Sequence, residues 1–520
     1  MKDSITMKRK TSRVLCTLLL ALPLLAHAQS SAINNAIRQY NDGNYAEAAF
    51  GFYDVAAFDP VIENRLKAEY YLAQSLQKMG LLRTAAFFYQ AVMSQGPNHP
   101  YYLKSIEQIV EITEAIEDDL FLPFAVQQEY NAEFANLPPE TLYKINYLVA
   151  LTEFRRENPA EALSFLNAVP KESSYYAKAL YLRGIIKTFQ GREGGEQAIR
   201  DYEEILSLED TPKLKYWELD NTKELAKIAL ARTHYTLGNY AESKRWYERV
   251  ARYSTYWDVA LFENGWASFM AGDVGTAMGS LHSLAAPQFS GSFQPEALIL
   301  KGTVYFTACL YDETKKELAT FDKRYKPMAD VVSQILEKHQ GAAEFPFYLS
   351  LVATPEAQPE KLPIPVRNFL LDNQRLKSLI AYLNLIDDEI RRVKDVSIWK
   401  GSSLQKEALT QLEAQRENNV KVTGRFIRDR LQKSVVDAIS NFDGQAEILR
   451  FETSKAEKEM LESGIDPETR LAGQTLLRPR IPGDQWEYWS FDGEWWVDEL
   501  GYYKYTLKTA CAEQGAGGGE

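Results

Sequence analysis

The residues most suggestive of chemistry lie near the C-terminus, in DQWEYWSFDGEWWVDELGYYKY (484–505). Here Asp492, Glu494, Asp498 and Glu499 interleave with Trp486, Trp489, Trp495 and Trp496. Glycoside hydrolysis needs two carboxylates at a set separation across a sugar, and tryptophans commonly flank such sites. Adjacent acids do not make that pair by themselves, and most carboxylates are solvated surface groups, so the segment is read first as packing. Its tryptophans remain a candidate platform for a partner or a glycan. Elsewhere His99, His234, His282 and His339 stand apart, outside any H-E-x-x-H pattern, and there is no Cys-x-x-Cys. No G-x-x-x-x-G-K-[ST] loop and no G-x-S-x-G elbow occurs. The expectation is a protein that is not an enzyme and has no cofactor or metal.

Length and charge bound the rest. A chain of 520 residues has room for two to four domains. With 45% hydrophobic and 25% charged residues it is an ordered globular chain and not a disordered one. A net charge of −12 argues against general nucleic-acid binding, which neutralises phosphates with Lys and Arg.

The N-terminus reads as a leader. Lys8, Arg9, Lys10 and Arg13 precede the apolar run VLCTLLLALPLL, and Ala26-His27-Ala28 fits a cleavage site, giving a signal peptide over residues 1–28. The run is short for a membrane span. Cys16 sits too early in it for a lipoprotein. Removal would leave a charge of −16 and two cysteines, Cys309 and Cys511, free to pair in an oxidising compartment.

The elements that position everything else come from a recurring spacing. From Gly43, Tyr45 stands at +2, Ala48 at +5, Phe52 at +9, Val55 at +12 and Pro60 at +17. From Gly80, Leu82, Ala85, Tyr89, Val92 and Pro97 repeat those offsets. Gly238 is followed by Tyr240, Ser243, Tyr247 and Val250, and Gly272 by Val274, Ala277, Leu281 and Leu284. Weaker copies keep Ala162, Leu166 and Val169; Ala198, Tyr202 and Ile205 after an expanded turn at Gly191; and Tyr311, Leu318 and Phe321. A glycine ends one helix, a small residue lets the next approach, and a large one fills the gap between units.

This pattern resembles the tetratricopeptide repeat (TPR), about eight units of paired helices between Ser31 and His339. The resemblance implies a stacked helical array over 29–340 whose inner surface receives a protein segment.

Four prolines in ATPEAQPEKLPIPVR mark a linker at 341–367. Beyond it, over 368–470, Leu376, Leu379, Leu383, Ile386, Ile390 and Val393 are spaced as a coiled-coil seam. Ile427, Leu431, Val435, Ile439, Phe442, Ala446 and Leu449 continue at helical spacing. A long helical hairpin follows, read either as an interaction arm or, preferably, as internal packing. Asp492-Gly493 between aromatic runs predicts a small β-hairpin within 471–511. Residues 512–520 are read as a disordered tail. The sequence thus predicts an all-α TPR-like solenoid, a helical hairpin and an aromatic C-terminal segment. The function it suggests is a periplasmic scaffold binding a protein of the cell envelope in motility, secretion or outer-membrane assembly. The alternative is a peptidoglycan- or polysaccharide-binding protein using the C-terminal tryptophans.

Overall fold

A computed structural model describes residues 22–464, 471 and 494–511, with side chains from Ala32 onward. The described chain is helical, and no strand occurs among the described residues. Eight helix pairs come first. They are α1 (Leu22–Asn41) with α2 (Tyr45–Phe58), α3 (Ile62–Lys78) with α4 (Leu82–Met93), α5 (Tyr102–Ala115) with α6 (Phe121–Glu129), and α7 (Pro139–Arg155) with α8 (Pro159–Asn167). Then follow α9 (Tyr176–Thr188) with α10 (Gly191–Ser207), α11 (Leu219–Thr236) with α12 (Tyr240–Tyr247), α13 (Trp257–Met270) with α14 (Val274–Leu284), and α15 (Glu296–Thr307) with α16 (Tyr311–Lys338). After them lie α17 (Phe345–Ala353), α18 (Ile364–Leu371), α19 (Gln374–Asp395) and α20 (Ser403–Leu431). A π-turn at Gln432–Asp437 carries α20 into α21 (Ala438–Glu462).

Every pair turns its corner through one residue with positive φ: Gly43, Gly80, Glu117, Glu157, Gly191, Gly238, Gly272 and Cys309. Seven corners share one hydrogen-bond pattern. At the first, Gly43 N donates to Tyr40 O at 3.1 Å and Asn44 N to Gln39 O at 2.9 Å; at the last, Cys309 N donates to Phe306 O and Leu310 N to Tyr305 O, both at 2.9 Å. This is the Schellman closure, which satisfies carbonyls left over at a helix end. Gly191 turns without the second bond, and its helix carries the expanded register.

The offsets counted from these corners are core positions. Ala48, Phe52 and Val55 are buried, as are Ala85, Tyr89 and Val92. So are Ser243, Tyr247 and Val250, and Ala277, Leu281 and Leu284. Tyr45 and Tyr240 pack edge-on against Tyr40 and Tyr235, at 5.5 and 5.2 Å. Pro60 and Pro97 lie exposed beyond the ends of α2 and α4. The pairs are TPR-like in this sense: same corner, same small-then-large register. Ala85→Arg, like Ala48→Arg, would force a guanidinium into a site with no exposed surface. Either is expected to cost a few kcal/mol, read as a lowered thermal midpoint, and unchanged melting would refute the register.

The chain divides into two compact units, Met1–Ile112 with Asp388–Glu413, and Thr113–Asp387 with Ala414–Glu520. The division falls inside α5, α19 and α20, not within 341–367. In the first unit, α19 and α20 bind the corners of two repeats. Trp399, fully buried, donates from Nε1 to Ala46 O at 2.9 Å. Tyr53 OH donates to Glu407 Oε2 at 2.6 Å. Glu389 accepts Arg83 N at 2.7 Å, and Thr84 N and Oγ1 at 2.9 and 2.7 Å. Arg392 donates to Gly80 O at 3.0 Å and to Met79 O.

In the second unit, the stretch expected as a linker holds α17, whose Phe345, Tyr348, Leu351 and Val352 are buried. They share one core with Phe321, Tyr325, Val332 and Ile335 of α16 and with Ile427, Leu431, Val435 and Ile439. Phe442 and Leu449 pack against the same core. Leu376, Leu379, Leu383 and Ile386 are buried too, as is Val393 in the first unit; Ile390 is half-buried. The long hairpin therefore buries its apolar seams on its own chain.

The expected β-hairpin finds no support: no strand occurs among residues 494–511, and the Asp492-Gly493 turn with the run before it lies outside the described residues. The described strap places its donors on helices instead. Tyr505 N donates to Gly275 O at 3.0 Å, Ala510 N to Ala308 O at 2.9 Å, and Gly501 N to Ser283 Oγ at 2.8 Å. A carbonyl in the first turn of α14, one just past the end of α15 and a hydroxyl accept these donors. Residues 1–21 and 512–520, read as most of the leader and as the tail, also lie outside the described residues; α1 begins at Leu22.

Candidate functional site

Two surfaces of the second unit gather the side chains able to bind something. The first is built by the first helices of successive pairs and the turns that lead into them. Tyr147 on α7 meets Tyr175 at 5.2 Å, and Tyr175 stacks on Trp217 at 6.2 Å and 14°. Lys144 and Lys178 lie over the Tyr175 and Trp217 rings, at 6.0 and 5.8 Å. Farther along, Tyr256 OH donates to Asn221 Oδ1 at 2.9 Å. Arg232 grips Glu263 through Nε and Nη2 at 2.8 and 2.6 Å, and Tyr247 OH reaches the same carboxylate at 2.8 Å.

The electrostatics of this wall are those of cations already matched. Lys144 pairs with Glu114 at 2.9 Å, Lys178 with Glu218 at 2.6 Å and Arg155 with Asp119 at 2.6 Å. Burial works against the Arg232 charge, but Glu263 reverses that and raises its pKa, while 56% of the side chain stays accessible. Burial also raises the pKa of Tyr147, Tyr175 and Tyr181, which stay neutral donors at physiological pH. Such a wall offers ring faces, hydroxyls and paired ions. A partner on such a surface would be selected by shape and hydrogen bonding more than by net charge.

The second surface is the strap 494–511. Its Leu500 is fully buried with Trp257, Leu261 and Ala286. Trp495 stacks on His282 at 5.1 Å and 10° and donates from Nε1 to His282 O at 2.9 Å. Tyr503 meets the same imidazole edge-on at 4.8 Å. Cys309 and Cys511 are bonded, with Cα atoms 5.1 Å apart, so the strap is tied to the corner of α15 and α16. Trp496 points the other way and is exposed. Trp486 and Trp489 lie outside the described residues.

Sequence reasoning missed the signal for this docking. On α14, Gly275, Gly279, His282 and Ser283 share one helical face with no large side chain outside the imidazole. A Cβ on Gly279 would stand 1.6 Å from Tyr503 O, and one on Gly275 2.7 Å from Tyr505 O. A stripe of small residues on a second repeat helix marks a backbone lying on it. The remaining histidines are dispersed: burial lowers the pKa of His99 and His234, and His339 stacks on Phe347 at 3.6 Å. Among the described residues no three His, Cys, Asp or Glu side chains converge as metal ligands. No described helix is long and apolar enough to cross a membrane.

No family model matches the chain, and no curated protein matches it. The solved structures to which the chain is similar include these two. One is a tetratricopeptide repeat protein from Parabacteroides merdae, 15% identical over 50% of this chain and 94% of that one, with a TM-score of 0.31. The other is a Rap protein complexed with Competence and Sporulation Factor, 12% identical over 76% of this chain and 99% of that one, with a TM-score of 0.22. Scores this low do not bear on a binding site. The repeat character of the chain rests on its own corners and registers.

Proposed function

We propose that the protein is a non-enzymatic scaffold of the cell envelope that holds an extended segment of a partner protein along the wall from Tyr147 to Glu263. The observation carrying this reading is that row of rings and ion pairs, with Tyr147, Trp217 and Tyr256 half-buried, on one helix pair after the next. A polypeptide main chain can bond to tyrosine hydroxyls and paired guanidinium groups, and its apolar side chains can lie on the rings. Export through a leader at 1–28 would bring the scaffold to a Gram-negative periplasm, and the Cys309–Cys511 bond is in keeping with an oxidising compartment. Motility, secretion and outer-membrane assembly are the envelope processes that such a scaffold would serve.

Photo-crosslinking in the native host tests it. A photoreactive residue at Tyr147 or Tyr181 should trap one discrete protein, and the same probe at exposed Phe189 should not. Arg232→Ala with Tyr147→Ala should lower the yield at Tyr181 at least tenfold. Equal trapping at all three positions, or a yield indifferent to the double substitution, overturns the reading. Fractionation of the same cells checks the compartment.

A further inference from the structure

The strap also builds an outward face. Arg252 donates from Nη2 to Val497 O at 3.0 Å and to Asp498 O at 2.9 Å, and Tyr253 OH donates to Val497 O. The Arg252 guanidinium lies 4.6 Å from the Tyr502 ring and 5.3 Å from the Tyr253 ring. Trp496 is fixed by its main-chain N–H, which donates to Tyr503 OH at 2.7 Å. Three large rings are thereby held in place yet left open: Trp496 and Tyr253 are each 57% exposed and Tyr502 53%. A single folded chain has no internal reason to fix exposed rings this way.

Tyr253 is shared with an open cavity of about 660 Å³ between the start of α11 and residues 253–256. Its walls are polar. Asp220, Asn221 and Lys223 line it beside Tyr253 and Tyr256. Glu224 is engaged by Lys227 and by Ala251 N at 2.9 Å, and Asn221 Oδ1 by Tyr256 OH at 2.9 Å. That leaves the Asp220 carboxylate, the Asn221 amide N–H groups and the Lys223 ammonium facing the space, with two acids balanced by two lysines.

We infer that this face binds a neutral, β-linked oligosaccharide, with Trp496, Tyr502 and Tyr253 stacking on sugar rings and Asp220, Asn221 and Lys223 bonding hydroxyls. The chemistry of the lining selects this occupant. A sugar has an apolar C–H face and an edge of hydroxyls, so it needs flat rings and small polar groups in one place. A membrane surface would want a basic rim, which balanced charges do not give. A protein hot spot would want an apolar centre shut off from water, but here the rings border a polar, open cavity. Two acids balanced by two lysines give no net charge to favour an acidic or a basic glycan, which leaves a neutral one. A β-linked chain is extended and lies along a row of rings, whereas an α-1,4-linked one curls away.

The test titrates the full, oxidised chain by calorimetry with cellotetraose and chitotetraose, and with maltotetraose as the α-linked control. Saturable binding of at least one β-linked probe is expected, with none for maltotetraose. Trp496→Ala and Asp220→Ala, both at exposed positions, should each weaken it at least tenfold without shifting the melting midpoint; Tyr253→Phe, which keeps the ring and loses the hydroxyl's bond to Val497 O, should retain binding. No heat with either β-linked probe, equal binding of maltotetraose, or affinity unchanged in Trp496→Ala overturns the inference. So does trapping of a protein by a photoreactive residue at 496 with no saccharide binding. Tyr147→Ala should leave saccharide binding intact, which keeps this outcome separate from that of the partner wall.

Discussion

Glu389→Ala is expected to destabilise the first unit by a few kcal/mol, since each buried donor left without an acceptor costs about 1–3 kcal/mol. Glu389 is fully buried, and its carboxylate accepts from Arg83 N, Thr84 N and Thr84 Oγ1. Those amides begin α4, whose own cap residue, Leu81, has no side chain that can accept them. The missing cap is supplied from α19, more than three hundred residues later in the chain. One turn on, Arg392 donates to the carbonyls that end α3. An acid and a base three apart on one helix thus meet the positive end of one repeat helix and the negative end of its mate. Alanine would leave two amides and a hydroxyl buried without a partner. Glu389→Gln should cost less, because one acceptor oxygen remains. Arg392→Ala, more exposed, should cost about 1 kcal/mol. Hydrogen exchange at residues 82–86 reads the effect directly, and protection unchanged in Glu389→Ala would refute it. Burial raises the Glu389 pKa against the pull of its donors. A raised carboxyl means the folded state takes up its proton first. Stability should therefore fall as pH rises from the unfolded carboxylate range through the folded value, and Glu389→Gln should lack that slope.

That contact also shows what a sequence reader can and cannot see. The register was legible wherever a glycine marked the corner, because only glycine takes positive φ without cost. Glu117, Glu157 and Cys309 hold the same backbone, each against a penalty of about 1–2 kcal/mol, and their corners do not announce themselves. A second signal was present. The residue after the corner is Asn or Asp at 44, 118, 158, 239 and 273, and Asp118 and Asp273 bond amides at the start of the next helix. Helix-start residues would have found corners that glycine does not mark. The long-range contacts had no such local trace. Nothing in LIDDEIRRVKD says which two of its charges leave water. The Asp-Gly turn signal was local too, whereas the described strap after it bonds main-chain carbonyls of α14 and of the corner after α15, which no local pattern announces.

Gly279→Ala is expected to release the strap while leaving α14 intact. Alanine favours a helix interior over glycine by about 1 kcal/mol, so the helix itself should gain. The added methyl, however, would stand 1.6 Å from Tyr503 O, a main-chain atom that no rotamer change can move aside. The strap must lift, and with it go the burial of Leu500, the Trp495–His282 stack and the approach of Cys511 to Cys309. A net loss of about 3 kcal/mol is expected, the scale of emptying a buried leucine site. Gly444→Ala is the matched control, since nothing lies within 4 Å of its Cβ. Trypsin should cut after Lys504 and Lys508 many times faster in Gly279→Ala than in Gly444→Ala, and two free thiols should appear. Equal cutting would mean the strap does not lie on α14. Acid should loosen the same contact. Burial lowers the His282 pKa, with Lys301 adding to that and Glu494 opposing it. A depressed folded pKa means the neutral ring contributes fully above the unfolded value near 6.5 and that contribution is lost as pH falls through the folded one. Cutting after Lys504 should therefore quicken between pH 7.5 and about 5, judged against a protease-activity control. His282→Phe, which keeps the stack and cannot take a proton, should flatten that dependence; an unchanged pH profile in the variant would remove His282 from the account.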